Sequence, residues 1–155
     1  MGVLDTLIAP KRTPRSRKPA PMPLPSGPLD ALLSGQFAAL GYAAGAVPHG
    51  GATGSAWSRG YVLGAACASL QHRPAAPVTD RECFATALAA FASAYGQDQA
   101  RDILASTVEA AEAQEPEVED GLLQGASDLA LLAHGEADPA TLAFVTRNAV
   151  DLTEI

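Results

Sequence analysis

Proline decides where this chain cannot be helical. Seven of its twelve prolines fall within the first 28 residues, at Pro10, Pro14, Pro19, Pro21, Pro23, Pro25 and Pro28. A residue locked near φ −65° without an N–H is excluded from helix interiors and central strands, and at this density it favours extended, solvated backbone. Residues 1–27 therefore read as a disordered Pro-rich tail that follows a short apolar start at Val3, Leu4, Leu7 and Ile8. Residues 28–155 read as one domain, long enough to bury a core.

The remaining prolines act as punctuation between six helical segments. The first spans about Leu29–Gly45, with Leu29, Leu32, Leu33, Phe37, Leu40 and Ala44 at helical spacing. Pro48–Gly54 breaks it, and a second segment follows from Ser55 to Gln71. After the proline loop Arg73–Val78, Thr79-Asp80-Arg81-Glu82 forms a capping box, in which hydroxyl and carboxylate each satisfy a backbone N–H. The third helix presents Phe84, Leu88, Phe91 and Tyr95 and stops at Gly96. The fourth, Gln97–Gln114, buries Ala100, Ile103, Leu104, Thr107, Val108 and Ala111. Glu115-Pro116 opens the fifth, because proline needs no N–H partner at a first helical position. Asp138-Pro139 opens the sixth by the same logic. No period-two alternation competes, so the predicted fold is all-α, a bundle of short Ala- and Gly-rich helices.

Charge divides the chain at the same boundary. Lys11, Arg12, Arg15, Arg17 and Lys18 are half of its ten basic residues, and with Asp5 they give the tail +4; the net −7 then leaves −11 for the domain. Ten carboxylates and no base lie between Asp102 and Asp138. Six of them, Glu109, Glu112, Glu115, Glu117, Glu119 and Asp120, crowd one interhelical turn. Such a surface is either solvated or a docking face for a basic partner, whether another protein or the chain's own tail. The basic arm is the second interaction element. Its attraction to nucleic acid or to an anionic membrane surface would be weak and salt-sensitive.

Three GxxxG spacings, Gly41–Gly45, Gly60–Gly64 and Gly121–Gly125, each place two glycines on one helix face. They predict close packing of two backbones, within the chain or between copies that self-associate. The first two lie in related settings. Leu40-Gly41-Tyr42-Ala43-Ala44-Gly45 followed by Ala56-Trp57-Ser58-Arg59-Gly60-Tyr61-Val62-Leu63-Gly64 resembles the paired motif of the ribosome modulation factor family, over residues 37–66. The resemblance implies a helical hairpin and a ribosome- or RNA-associated regulator. It would use Tyr42, Trp57, Arg59 and Tyr61, with Gly41, Gly45, Gly60 and Gly64 shaping the hairpin.

Other chemistries lack their residues. Neither G-x-S-x-G, a P-loop nor a dinucleotide fingerprint is present, and His49, His72 and His134 have no metal-ligand spacing. No cofactor or metal is expected. Cys67 and Cys83, each in an apolar helical stretch, read as reduced, buried small hydrophobes. No secretory signal or membrane span is expected, which predicts a cytoplasmic protein. Met1-Gly2-Val3-Leu4-Asp5-Thr6 fits the acylation pattern MGxxxS/T, which with the basic arm would anchor a host-delivered effector. The composition suggests a bacterial or phage protein. The reading that unites these features is a non-enzymatic interaction module: an adaptor, assembly or regulatory factor.

Overall fold

Among the described residues six α-helices follow one another: α1 (Gly27–Ala39), α2 (Ala56–Gln71), α3 (Asp80–Tyr95), α4 (Gln97–Glu112), α5 (Pro116–Ala133) and α6 (Ala143–Thr153). The computed structural model describes residues 27–71 and 77–153. The tail before Gly27, with Lys11, Arg12, Arg15, Arg17 and Lys18, lies outside the described residues, as do His72 and Arg73. Among the described residues there is no strand, and the fold is all-α as the spacing predicts.

Helix α2 is central. Eleven of its sixteen residues are buried, which fits a helix that is apolar on every side. It runs against α5 with almost nothing between the two backbones. A Cβ on Gly60 would overlap the Val118 carbonyl, and one on Gly64 the Leu122 carbonyl. Reciprocally, a Cβ on Gly121 would meet the Trp57 carbonyl and one on Gly125 the Tyr61 carbonyl. Adding 61 to each number exchanges the two sets, so the helices are parallel and locally two-fold related. These two GxxxG faces are thus spent on each other within one chain.

The third GxxxG is not helical. Helix α1 ends at Ala39, short of the predicted Gly45, because Gly41 at φ 90° makes a left-handed stop. Gly41 N–H donates to the Ala38 carbonyl (2.9 Å) and Tyr42 N–H to that of Phe37 (2.9 Å). The loop that follows caps α3 from outside: Gly45 and Val47 N–H donate to the Ser93 (2.6 Å) and Ala94 (2.9 Å) carbonyls. Tyr95 Oη donates to the Thr53 carbonyl (2.8 Å), which holds the same loop in place.

The predicted helix starts hold in α3 and α5. Thr79 and Glu82 form the capping box, and Pro116 follows Glu115 at the N-cap of α5. The sixth helix corrects its prediction. Asp138 caps only a 3-10 turn at Pro139–Thr141, and α6 begins later, at Ala143. Its cap comes from other helices instead. Asp128 Oδ2 on α5 accepts from Ala143 N–H (3.0 Å), and Gln36 Oε1 on α1 accepts from Val145 N–H (3.0 Å).

Those two caps belong to a buried polar network centred on Tyr61. Its hydroxyl donates to Asp128 Oδ2 (2.7 Å) and accepts from Gln36 Nε2 (2.9 Å), while Gln124 Nε2 donates to Asp128 Oδ1 (2.9 Å). Asp128 is 3% exposed, so it leaves the set of surface carboxylates into which the sequence placed it. Around the network pack Phe37, Trp57, Tyr61 and Phe144, with ring centroids 5.3–5.5 Å apart. Arg147 lies over Trp57, its guanidinium carbon 4.4 Å from the ring centroid.

Two measurements test this packing. Gly64→Ala and Gly125→Ala must each push α2 from α5, so despite a gain of about 1 kcal/mol in helix propensity we expect a net loss of about 1–3 kcal/mol. Urea midpoints read this loss. Gly50→Ala, where a Cβ meets nothing within 4 Å, serves as the unaffected control.

The second test is alkaline pH. Burial raises the Tyr61 phenol well above its ordinary value, and its bond to Asp128 raises it further; burial does the same for Tyr95. A phenol whose folded pKa exceeds its unfolded one contributes stability that is full below the unfolded value, near 10, and is lost as pH rises beyond it. Above pH ~10 stability should therefore fall by up to about 2.7 kcal/mol per pH unit, and Tyr61→Phe should halve that slope. An unchanged slope in the variant would refute the assignment.

Candidate functional site

One face of the bundle carries an open groove of about 830 Å³, between α2, α3 and α4. Each helix contributes a stripe at helical spacing. Leu63 and Cys67 come from α2; Asp80, Cys83, Phe84 and Ala87 from α3; Arg101, Leu104, Ala105, Val108, Glu109 and Glu112 from α4. The short Gly96 turn between α3 and α4 brings these stripes together.

The floor of the groove corrects two core expectations. Phe84 and Val108 sit on the apolar faces predicted for α3 and α4, but they are 47% and 37% exposed. The periodicity was right about the face, and the groove is what that face lacks: a further element to cover it. Leu104 beneath them is buried, as are Leu63 and Ala87. Arg101 is drawn onto the floor, with its guanidinium carbon 5.6 Å from the Phe84 ring centroid.

The edge is acidic. Asp80 opens α3 while Glu109 and Glu112 lie in the last turn of α4, so all three are far along their helices from Gly96. The α4 pair sits at the wrong end of its helix. The last turn carries the negative end of the helix dipole, where carboxylates are disfavoured and cations welcome. No basic residue occupies that turn. A cation brought there would meet two carboxylates and the helix terminus together.

The other predicted acidic residues are divided by the α4–α5 turn. Glu115 is the N-cap position of α5, and Glu117 and Glu119 fall in its first turn, where the dipole favours them. Glu117 Oε1 also pairs with the Arg147 guanidinium at 3.6 Å. Asp120 is exposed on α5. Of the six, then, Glu109 and Glu112 line the groove.

The hairpin residues are placed inside the bundle. Trp57 and Tyr61 are buried, Tyr42 is half-buried in the loop after α1, and Gly60 and Gly64 face α5. Arg59 is engaged within the fold: Nε donates to the Gly54 carbonyl (2.9 Å) and Nη1 to Thr107 Oγ1 (3.2 Å). Gly41 and Gly45 are loop residues. The glycines of α2 are packed against α5.

Both cysteines line the groove rather than the core. Cys67 is exposed and Cys83 half-buried. Burial by the groove wall raises the Cys67 thiol above its ordinary value, with Cys83 contributing second. Among the described residues no cluster of three or more His, Cys, Asp or Glu is placed to hold a metal ion, and no helix is long and apolar enough to cross a membrane. No protein-family model, curated protein or solved structure matches the chain.

The thiol gives the groove a chemical reporter. The thiolate is the reacting form, so iodoacetamide should alkylate Cys67 slowly at neutral pH, with a rate that climbs about tenfold per pH unit to beyond pH ~8.5. A plateau below pH 8 would show that the groove wall does not raise the thiol.

Proposed function

We propose that this protein is a non-enzymatic interaction module whose groove receives a segment carrying both large apolar and basic side chains. The observation that supports this reading is the pairing of an uncovered apolar floor, at Phe84 and Val108, with carboxylates at the negative end of α4. Grooves of this kind bind by burying anchors spaced along one face of a partner helix, with a few polar groups setting orientation. Here the anchors would lie on Phe84, Leu104 and Val108. Lysine or arginine one to two turns further along would reach Glu109 and Glu112. Adaptor, assembly and regulatory roles all use such a contact, and the basic arm would supply a second one.

A labelled model peptide tests the reading. An amphipathic Leu/Lys helix, followed by fluorescence anisotropy, should bind with an affinity that falls in high salt, whereas a Leu/Glu helix of equal hydrophobicity should not bind. Phe84→Glu, and Ala105→Trp to fill the groove, should each weaken binding about tenfold, roughly 1.4 kcal/mol. Binding by both variants as tight as that of the parent overturns the proposal.

A further inference from the structure

The pattern that fits the groove occurs in this chain's own sequence. Val3, Leu4, Leu7 and Ile8 come first, and Lys11, Arg12 and Arg15 follow them around Pro10 and Pro14. An apolar stretch is thus followed by a basic one in the same short segment. The groove has the matching polarity: an apolar floor at Phe84, Leu104 and Val108, then Glu109 and Glu112 at the end of α4.

We infer that residues 3–15 occupy the groove in the resting chain, apolar side chains on the floor and Lys11, Arg12 and Arg15 against Glu109 and Glu112. The protein so occludes its own binding surface until a partner competes. The inference rests on the groove being a binding surface, and it names the surface's first occupant.

Charge and reach both favour the chain's own segment. The arm holds half of all the basic residues, while the domain it would contact carries −11. Gly27 lies twelve positions beyond Arg15, the last residue placed in the groove. At ~3.1 Å per residue, a Pro-rich stretch of that length reaches about 37 Å. A domain of this size has a radius of gyration of about 14 Å, so the tether is longer than twice that radius. Tethering also supplies an effective concentration of about a millimolar, which fills even a weak site. Phe84 and Val108, exposed on the floor of the bundle, are the residues that this segment would cover.

The test uses the full chain with Leu4→Glu and Leu7→Glu combined, which removes the apolar anchors without touching the groove. Two readouts follow: the alkylation rate of Cys67 and the affinity for the Leu/Lys probe peptide. Both should rise, by about five- to tenfold, as the tethered competitor is lost. The anchor variant should also lose the stability that this occlusion confers, about 1.0–1.4 kcal/mol for a five- to tenfold release, read from the urea midpoint of the helical domain. Lys11→Glu with Arg15→Glu should give a similar release, reversed when Glu109→Lys and Glu112→Lys are added. If parent and anchor variant bind the probe equally and Cys67 reacts at one rate in both, the self-occlusion is wrong and the groove reading survives. If neither binds the probe, the groove reading fails and takes the inference with it. Protection of Cys67 that grows with protein concentration would assign the occupant to a second copy and overturn occupancy within one chain.

Discussion

Everything in this bundle is arranged around the direct meeting of two backbones. Gly60 and Gly64 on α2 and Gly121 and Gly125 on α5 remove the side chains that would hold the helices at an ordinary separation. Four glycines in helix interiors cost about 4 kcal/mol relative to alanine. Close backbone packing, with Cα–H groups directed at facing carbonyls, has to offset that cost. The contact consumes one side of α2 and leaves its other sides free for further partners. One side carries Trp57 and Tyr61 toward α1 and α6, and another carries Leu63 and Cys67 to the lip of the groove.

Helix α6 depends on that arrangement at one remove. Its first N–H groups are satisfied by Asp128 and Gln36, side chains of two other helices. Both acceptors are held by Tyr61, whose position follows from the glycine contact one residue away. A buried carboxylate without a cation is normally costly, and here three hydrogen bonds, from Tyr61, Gln124 and Ala143, replace its lost hydration, while Gln36 donates to the Tyr61 hydroxyl. The polar network therefore specifies which helices meet.

Local chemistry was legible wherever a residue acts on its own neighbours. The Thr79–Glu82 capping box, the Glu115-Pro116 start and the Gly96 stop each involve groups within four residues, and the sequence shows them all. The groups that act across the fold were less visible. Gly41–Gly45 and Gly60–Gly64 have the same spacing, and only the left-handed Gly41 distinguishes the helix stop from the packing face. Asp138-Pro139 carries a valid start signal, yet it yields a 3-10 turn because Asp128 and Gln36 take over the cap five residues later. Asp128 looked like any other acid in an acidic stretch. Phe84 and Val108 showed the apolar period that core residues show, since a period reports a face and not what covers it. Glu109 and Glu112 did carry a signal: two acids in the last turn of a helix, against the dipole. Local rules broken in this way are where function is expected.

The parallel pairing of α2 with α5 also sets how the chain must assemble. Neither glycine face gains anything until residues about sixty apart in sequence meet, and closing a loop of that length costs about 3–4 kcal/mol in chain entropy. The α3–α4 hairpin, joined by one residue, has no such barrier and can form from local contacts. A chain synthesised from its first residue completes that hairpin before α5 exists. The groove would then be framed on two sides while its third wall, α2, still waits for the helix that anchors it. Folding speed in this protein is thereby tied to one long-range encounter.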